Sequence, residues 1–264
     1  MADPTAQSLE YAPRGLIGLL TPQANTTVEP EFAILTSPGV GWIAARLVSG
    51  AGSIEARGHD YLDGLDATLD RFANAPLGAY AFAYTGGSYE LGAEGEDALI
   101  ARIETARGRP FVTAARAIAD ALRALGAARI GLVSPYPPAM TDASVAYWGA
   151  RGFTVAAATA VTATGDTAGF HPIYALTSAD AQAAMDRLGA DSLDAILLLG
   201  TGMPSLAPIA RAAGAGGPPV LSSNLALAWR AIVALGGGEP DRASLEPWIT
   251  AECWRARLAE RLGG

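Results

Sequence analysis

The chain repeats itself, and the repeat constrains its fold more than any single motif. Ile17-Gly18-Leu19-Leu20-Thr21-Pro22 returns as Ile130-Gly131-Leu132-Val133-Ser134-Pro135. Later in each half an apolar run ends in a small-residue turn: Ala81-Phe82-Ala83-Tyr84-Thr85-Gly86-Gly87 in the first, Ile196-Leu197-Leu198-Leu199-Gly200-Thr201-Gly202 in the second. A third pair follows, Pro110-Phe111-Val112-Thr113-Ala114 and Pro219-Val220-Leu221-Ser222-Ser223-Asn224, each running into a helical pattern that closes on Leu-Gly. Three landmarks in one order imply a duplicated half, with the natural site in the cleft between the copies.

Short apolar runs bounded by Gly, Pro or Ser read as buried parallel strands near residues 15–20, 41–48, 79–85, 129–134, 153–160 and 194–199. Helical periods alternate with them, at Ile54 to Phe72, Ala98 to Ile103, Arg116 to Leu125, Ala181 to Leu188 and Leu225 to Val233. The expected class is therefore α/β, with two pseudo-symmetric, doubly wound lobes of mostly parallel sheet. The first lobe is expected over 14–118, with 225–262 packing back on it, and the second over 119–224. Ligands of such sheets bind beyond the carboxyl ends of the strands. The segments there are rich in hydroxyls, amides and glycines, which favours a carboxylate or oxyanion held by backbone N–H groups without a cation.

Composition removes several classes. All 18 basic residues are arginine, so Schiff-base, pyridoxal-phosphate and P-loop lysines are excluded. A formal net charge of −8 with no basic stripe argues against nucleic acid. Cys253, His59 and His171 are the only Cys and His residues and cannot build a zinc site, so no metal is expected. No apolar run approaches the roughly 20 residues of a membrane span, and Met1 to Tyr11 does not read as a signal peptide. The expectation is a cytoplasmic protein without membrane contact. The segment Leu245 to Leu262 packs either on its own lobe or on a second copy, which leaves a homo-oligomer open.

Pro22-Gln23-Ala24-Asn25-Thr26-Thr27-Val28-Glu29-Pro30-Glu31 resembles the opening loop of the maleate cis-trans isomerases. Thr85-Gly86-Gly87-Ser88-Tyr89, Ser134-Pro135-Tyr136 and Ser222-Ser223-Asn224-Leu225-Ala226-Leu227-Ala228-Trp229 are similar to later landmarks of the same group. That group and the arylmalonate decarboxylases form a branch of the aspartate/glutamate racemase superfamily. The resemblance implies cofactor-independent chemistry on a small carboxylate or dicarboxylate, with one catalytic cysteine from each lobe. The matching positions here are Tyr84 and Gly200, so both thiols are replaced, while Cys253 stands elsewhere. The resemblance further implies that Thr85, Gly86, Gly87 and Tyr136 hold an enediolate, and that Asn25 and Asn224 grip carboxylates. Ser88, Gly200, Thr201 and Gly202 complete the two glycine-rich turns as substrate contacts.

Tyr84 then becomes the expected proton donor. A phenol with a pKa near 10 is ionised in about one molecule per thousand at neutral pH, so it is a poor base. An enediolate is basic enough to take its proton. Two-base racemisation and thiol addition fit this sequence least; loss of CO₂ followed by one protonation fits best, making a lyase the leading expectation. The alternatives are cis-trans isomerisation of an unsaturated dicarboxylate by an unusual nucleophile, and a non-catalytic carboxylate-binding protein. A serine hydrolase is weaker, since no Ser has a credible His and Asp partner. Beside these readings stand structural ones. Thr26-Thr27-Val28-Glu29 also reads as a capping box, which makes Glu29 and Glu31 structural. Tyr84 also continues an aromatic alternation, Tyr80, Phe82, Tyr84. His171 is placed in a loop near the cleft, and His59 on a solvated helix.

Overall fold

The computed structural model describes residues 9–163, 172–189 and 192–263. Its first sheet contains β1 (Gly15–Pro22), β2 (Val40–Leu47), β3 (Leu77–Phe82) and β4 (Phe111–Thr113), in the order β2-β1-β3-β4. Its second contains β5 (Arg129–Ser134), β6 (Thr154–Ala160), β7 (Ala195–Leu198) and β8 (Val220–Ser222), in the order β6-β5-β7-β8. Every pairing within the two sheets is parallel. The two halves thus share one strand order, and the sequence repeat is a structural repeat. Glycine-punctuated runs such as Ile17 to Leu20 are buried on both faces, as central parallel strands require.

In the first half, helices α1 (Val28–Leu35), α2 (Ile54–Asp63), α3 (Leu65–Asp70), α4 (Thr85–Arg107) and α5 (Ala114–Leu125) alternate with the strands. The second half adds α6 (Pro138–Ala150), α7 (Ser178–Arg187), α8 (Leu206–Ala212) and α9 (Ser223–Leu235). Two more, α10 (Arg242–Ile249) and α11 (Arg255–Leu262), close the chain. The helical period expected from Ile54 to Phe72 breaks at Gly64, which ends α2 and caps α3. The expected capping box at α1 is not formed. Thr27 makes no side-chain cap; the Asn25 Oδ1 accepts from the backbone N–H of Thr27 at 2.9 Å and of Val28 at 3.1 Å, and Glu29 pairs with Arg46 instead.

Helices α5 and α9 pack on each other; α9 is buried on most sides, and α5 buries one face while carrying Arg116, Asp120 and Arg123 on the other. Helix α9 lies against β1, β3 and β4 as well as β8, carrying chain from the second sheet back to the first. One apolar core accordingly runs through both lobes, from Ile17 and Phe32 to Leu197 and Trp229, while a second lies around Tyr61, Phe82 and Phe111. A buried polar tie adds to it. Arg151, the C-cap of α6, pairs with Glu96 and Asp97 of α4, and Glu96 also accepts from Thr113 at 2.5 Å and from Tyr147. Removing one partner of such a buried pair costs about 3–5 kcal/mol. The cleft is therefore framed by lobes that share a core and do not hang on a linker.

Candidate active site

The carboxyl ends of β1 and β3 are adjacent, and β1 is the strand at which the winding direction reverses. Beyond them a cavity of about 50 Å³ opens between the lobes. Gln23, Arg57, Tyr61 and Tyr84 form its wall on the first half; Tyr136, Tyr174, Thr201 and Gly202 form the other. Ile54, Met140 and Ile173 supply an apolar side. The volume suits a few waters or a carboxylate group, so a larger substrate has to part the walls.

Tyr84 is the N-cap of α4, and its ring turns back over the first turn of its own helix. Cβ atoms placed at Gly86 and Gly87 would stand 2.9 Å and 3.1 Å from it, so both positions exclude larger residues. Tyr61 and Phe82 meet the same ring edge-on, at centroid distances of 5.4 Å and 6.1 Å. Burial, with Tyr136 and Glu90 nearby, pushes the Tyr84 phenol well above its ordinary value. Thr85, the first residue of α4, puts its hydroxyl 2.5 Å from the Tyr136 hydroxyl of the opposite lobe. Burial pushes Tyr136 up to about 12, with the Thr85 hydrogen bond opposing. Ser88 is buried one turn on, and its hydroxyl makes no hydrogen bond within the described residues.

The remaining expected residues tie the lobes together. Asn25 donates from Nδ2 to Thr201 Oγ1 at 3.1 Å, and Thr201 donates in turn to the Ala83 carbonyl at 2.9 Å. The Gly202 carbonyl accepts from Thr27 at 2.8 Å. Asn224 donates to the Thr201 carbonyl at 3.0 Å and to Glu31 Oε2 at 2.7 Å; its Oδ1 is buried and unpartnered among the described residues. Glu31 reaches from α1 to the start of α8, accepting from the backbone N–H of Ser205 at 2.6 Å and of Leu206 at 3.2 Å. Of the expected contacts, Tyr84, Tyr136, Thr201 and Gly202 line the cavity. Asn25, Thr85 and Asn224 stand buried behind its wall, at 2 %, 1 % and 1 % exposure.

Gly200 has φ +81°, and a Cβ there would fall 2.8 Å from Pro135 Cγ. No cysteine lines the cavity; Cys253 sits between α10 and α11, its thiol pushed up by burial. His171 lies outside the described residues. Sequence reasoning missed Arg57. Its Nε is held by the Ala51 carbonyl at 2.8 Å, no carboxylate among the described residues lies within ion-pair distance, and it is the one arginine lining the cavity. A cation is thus present where none was expected. Nothing in a helix-face pattern distinguishes it from an ordinary solvated arginine. Among the described residues no group of His, Cys, Asp and Glu could hold a metal, and no helix is long and apolar enough to cross a membrane.

Twin parallel sheets in the same strand order, with hydroxyls and helix starts facing each other across one cleft, define a two-lobed α/β protein of the racemase-like fold. A family model, arylmalonate decarboxylase, matches residues 17–244, and the chain belongs to that family. It is 26 % identical over 242 residues to the arylmalonate decarboxylase of Bordetella bronchiseptica, covering 89 % of this chain and 96 % of that protein. It is 29 % identical over 232 residues to the maleate isomerase of Nocardia farcinica, covering 83 % and 89 %. Among solved structures, the Nocardia farcinica maleate cis-trans isomerase bound to TRIS superposes with a TM-score of 0.75 at 25 % identity, over 85 % of this chain and 93 % of that one. A crystal structure of arylmalonate decarboxylase gives 0.69 at 25 % identity, over 84 % and 93 %. The chain's relatives are enzymes of one superfamily, an isomerase and a decarboxylase.

Proposed function

We propose that this chain decarboxylates a small malonate-type dicarboxylate without a cofactor and without a thiol. The C–CO₂ bond breaks, CO₂ leaves, and the electron pair enters the remaining carboxylate as an enediolate. Thr85, Tyr136 and the N–H groups at the start of α4 hold its oxygens. Tyr84 then gives its phenolic proton to the α-carbon. One observation carries the reading: the Tyr84 and Tyr136 side chains both line a cleft whose walls hold no cysteine, and Thr85 holds the Tyr136 hydroxyl from behind the wall. Preorganised donors of this kind are worth about 2.7–4 kcal/mol each in a transition state. Asn25, Thr201 and Asn224 act by fixing the loops that carry these groups. Arg57 binds a substrate carboxylate, and Ile54, Met140 and Ile173 take an apolar substituent.

A second reading, isomerisation of an unsaturated dicarboxylate, is supported by Arg57, because a cation in the cleft suits a substrate that keeps both carboxylates. Proton NMR in D₂O separates the two. Phenylmalonate converted to α-deuterated phenylacetate supports decarboxylation; maleate converted to fumarate, with phenylmalonate untouched, replaces it with isomerisation. Tight binding with no product in either case would leave a binding protein.

A further inference from the structure

Tyr84 is a wall with two sides. One lines the interlobe cleft; the other lines a separate cavity of about 200 Å³ with Glu55, His59 and Glu90. Where the two cavities approach, α2 carries Gly58, a buried helix-interior position at which alanine is intrinsically the better residue. A Cβ there would stand 2.7 Å from the Tyr84 hydroxyl and 3.0 Å from Glu90 Oε2. Both oxygens therefore face one gap that any side chain at this position would fill. Beyond it, Glu90 Oε1 is 2.6 Å from His59 Nδ1, with the imidazole 66 % exposed and the carboxyl 30 %. Phenol, carboxyl and imidazole form a row from the cleft to solvent.

We propose that this row is a proton relay, held open by Gly58, through which His59 and Glu90 reprotonate Tyr84 after each turnover. The inference rests on Tyr84 being the proton donor in a decarboxylation. That reaction takes up one proton per turnover, because CO₂ leaves and a C–H bond takes its place. The Tyr84 O–H bond breaks as the C–H bond forms, leaving a phenolate. Glu90, as the acid, gives its Oε2 proton to the phenolate oxygen. The His59 imidazolium gives its Nδ1 proton to Glu90 Oε1; the neutral ring, which keeps its Nε2 proton, takes a proton from solvent at Nδ1, and the carboxyl turns to bring its own proton back toward Tyr84. The gap between Tyr84 and Glu90 is short enough for one bridging water.

Among the described residues the cleft is lined by no carboxylic acid. Burial makes the Tyr84 phenolate costly, which demands fast reprotonation. Glu90 is suited to the acid form: burial and the nearby Asp63 raise its carboxyl, and His59 only partly opposes them. Glu55 is the other carboxyl on this cavity. Gly58, Glu90 and His59 are positioning and proton-supply residues, since none of them lines the cleft.

Rapid-quench kinetics with phenylmalonate test the relay, comparing the wild type with Glu90→Gln and His59→Gln. Both variants start with Tyr84 protonated, so their first turnover runs at the wild-type rate. Later turnovers fall about ten-fold or more, and added imidazolium buffer speeds them. Later turnovers at the wild-type rate in both variants overturn the relay, as does an equal fall in first and later turnovers. A Tyr84→Phe variant that still turns over, or a wild type that leaves phenylmalonate unchanged, overturns the underlying donor reading and the relay with it.

Discussion

Thr85 and Tyr136, one from each lobe, meet hydroxyl to hydroxyl at 2.5 Å across the cleft. One hydroxyl donates to the other, and either can be the donor, so the pair holds one O–H in place until an oxyanion arrives. A preorganised pair of this kind acts as a unit. Thr85→Val and Tyr136→Phe should each lower kcat by about 10²–10³-fold. The double variant should lose much less than the product of the two, because the partners share one hydrogen bond. Steady-state kinetics of the four proteins give the coupling, and strictly multiplicative losses would contradict it.

Arg57 should set affinity and leave the chemical step alone. Replacing it with Gln removes a charge-assisted hydrogen bond worth about 1.5–3 kcal/mol. KM for a dicarboxylate should rise by roughly ten-fold or more, with kcat little changed. A variant with unaltered KM would show that the guanidinium does not touch substrate.

Gly200 should not accept a thiol. With φ +81° and Pro135 Cγ 2.8 Å from the Cβ position, Gly200→Cys should cost about 1–3 kcal/mol of stability and add no activity. Thermal melts decide the first point. An unchanged melting temperature would mean that the turn relaxes freely.

Glu31 should make stability pH-dependent. Burial raises its carboxyl above 4.5 despite hydrogen bonds from Ser205, Asn224 and Leu206. The folded chain thus keeps this proton to higher pH than the unfolded one. The contribution is full below the unfolded value and is lost as pH rises through the folded one. In urea melts, the stability of the wild type relative to Glu31→Gln should therefore fall as pH rises from about 4 to 8. Parallel curves would show that Glu31 does not titrate in this window.

Much of this was legible in the chain. Paired landmarks such as Ile17 to Pro22 and Ile130 to Pro135 disclose the duplication because parallel strands buried on both faces must be continuous apolar runs. The three-residue strands β4 and β8 were legible only as landmarks, being too short to form such a run. Helix α8 was missed because its Pro208 obscures a single short period. The capping box expected in Thr26-Thr27-Val28-Glu29 failed because the Asn25 side chain took the Thr27 and Val28 N–H groups and Arg46, on β2, drew Glu29 away. Arg57, Gly58 and Glu90 carried no signal. Their meaning depends on which side of Tyr84 two helices place them, and that is tertiary information.

Whether the Tyr84 phenol does the proton transfer proposed for it is tested most directly by phenylmalonate turnover in D₂O by the wild type, Tyr84→Phe and Cys253→Ser. The account predicts deuterated product from the wild type and from Cys253→Ser. From Tyr84→Phe it predicts a loss of about 10²–10⁴-fold, with substrate still bound. Full turnover by Tyr84→Phe, or its disappearance in Cys253→Ser, would contradict it.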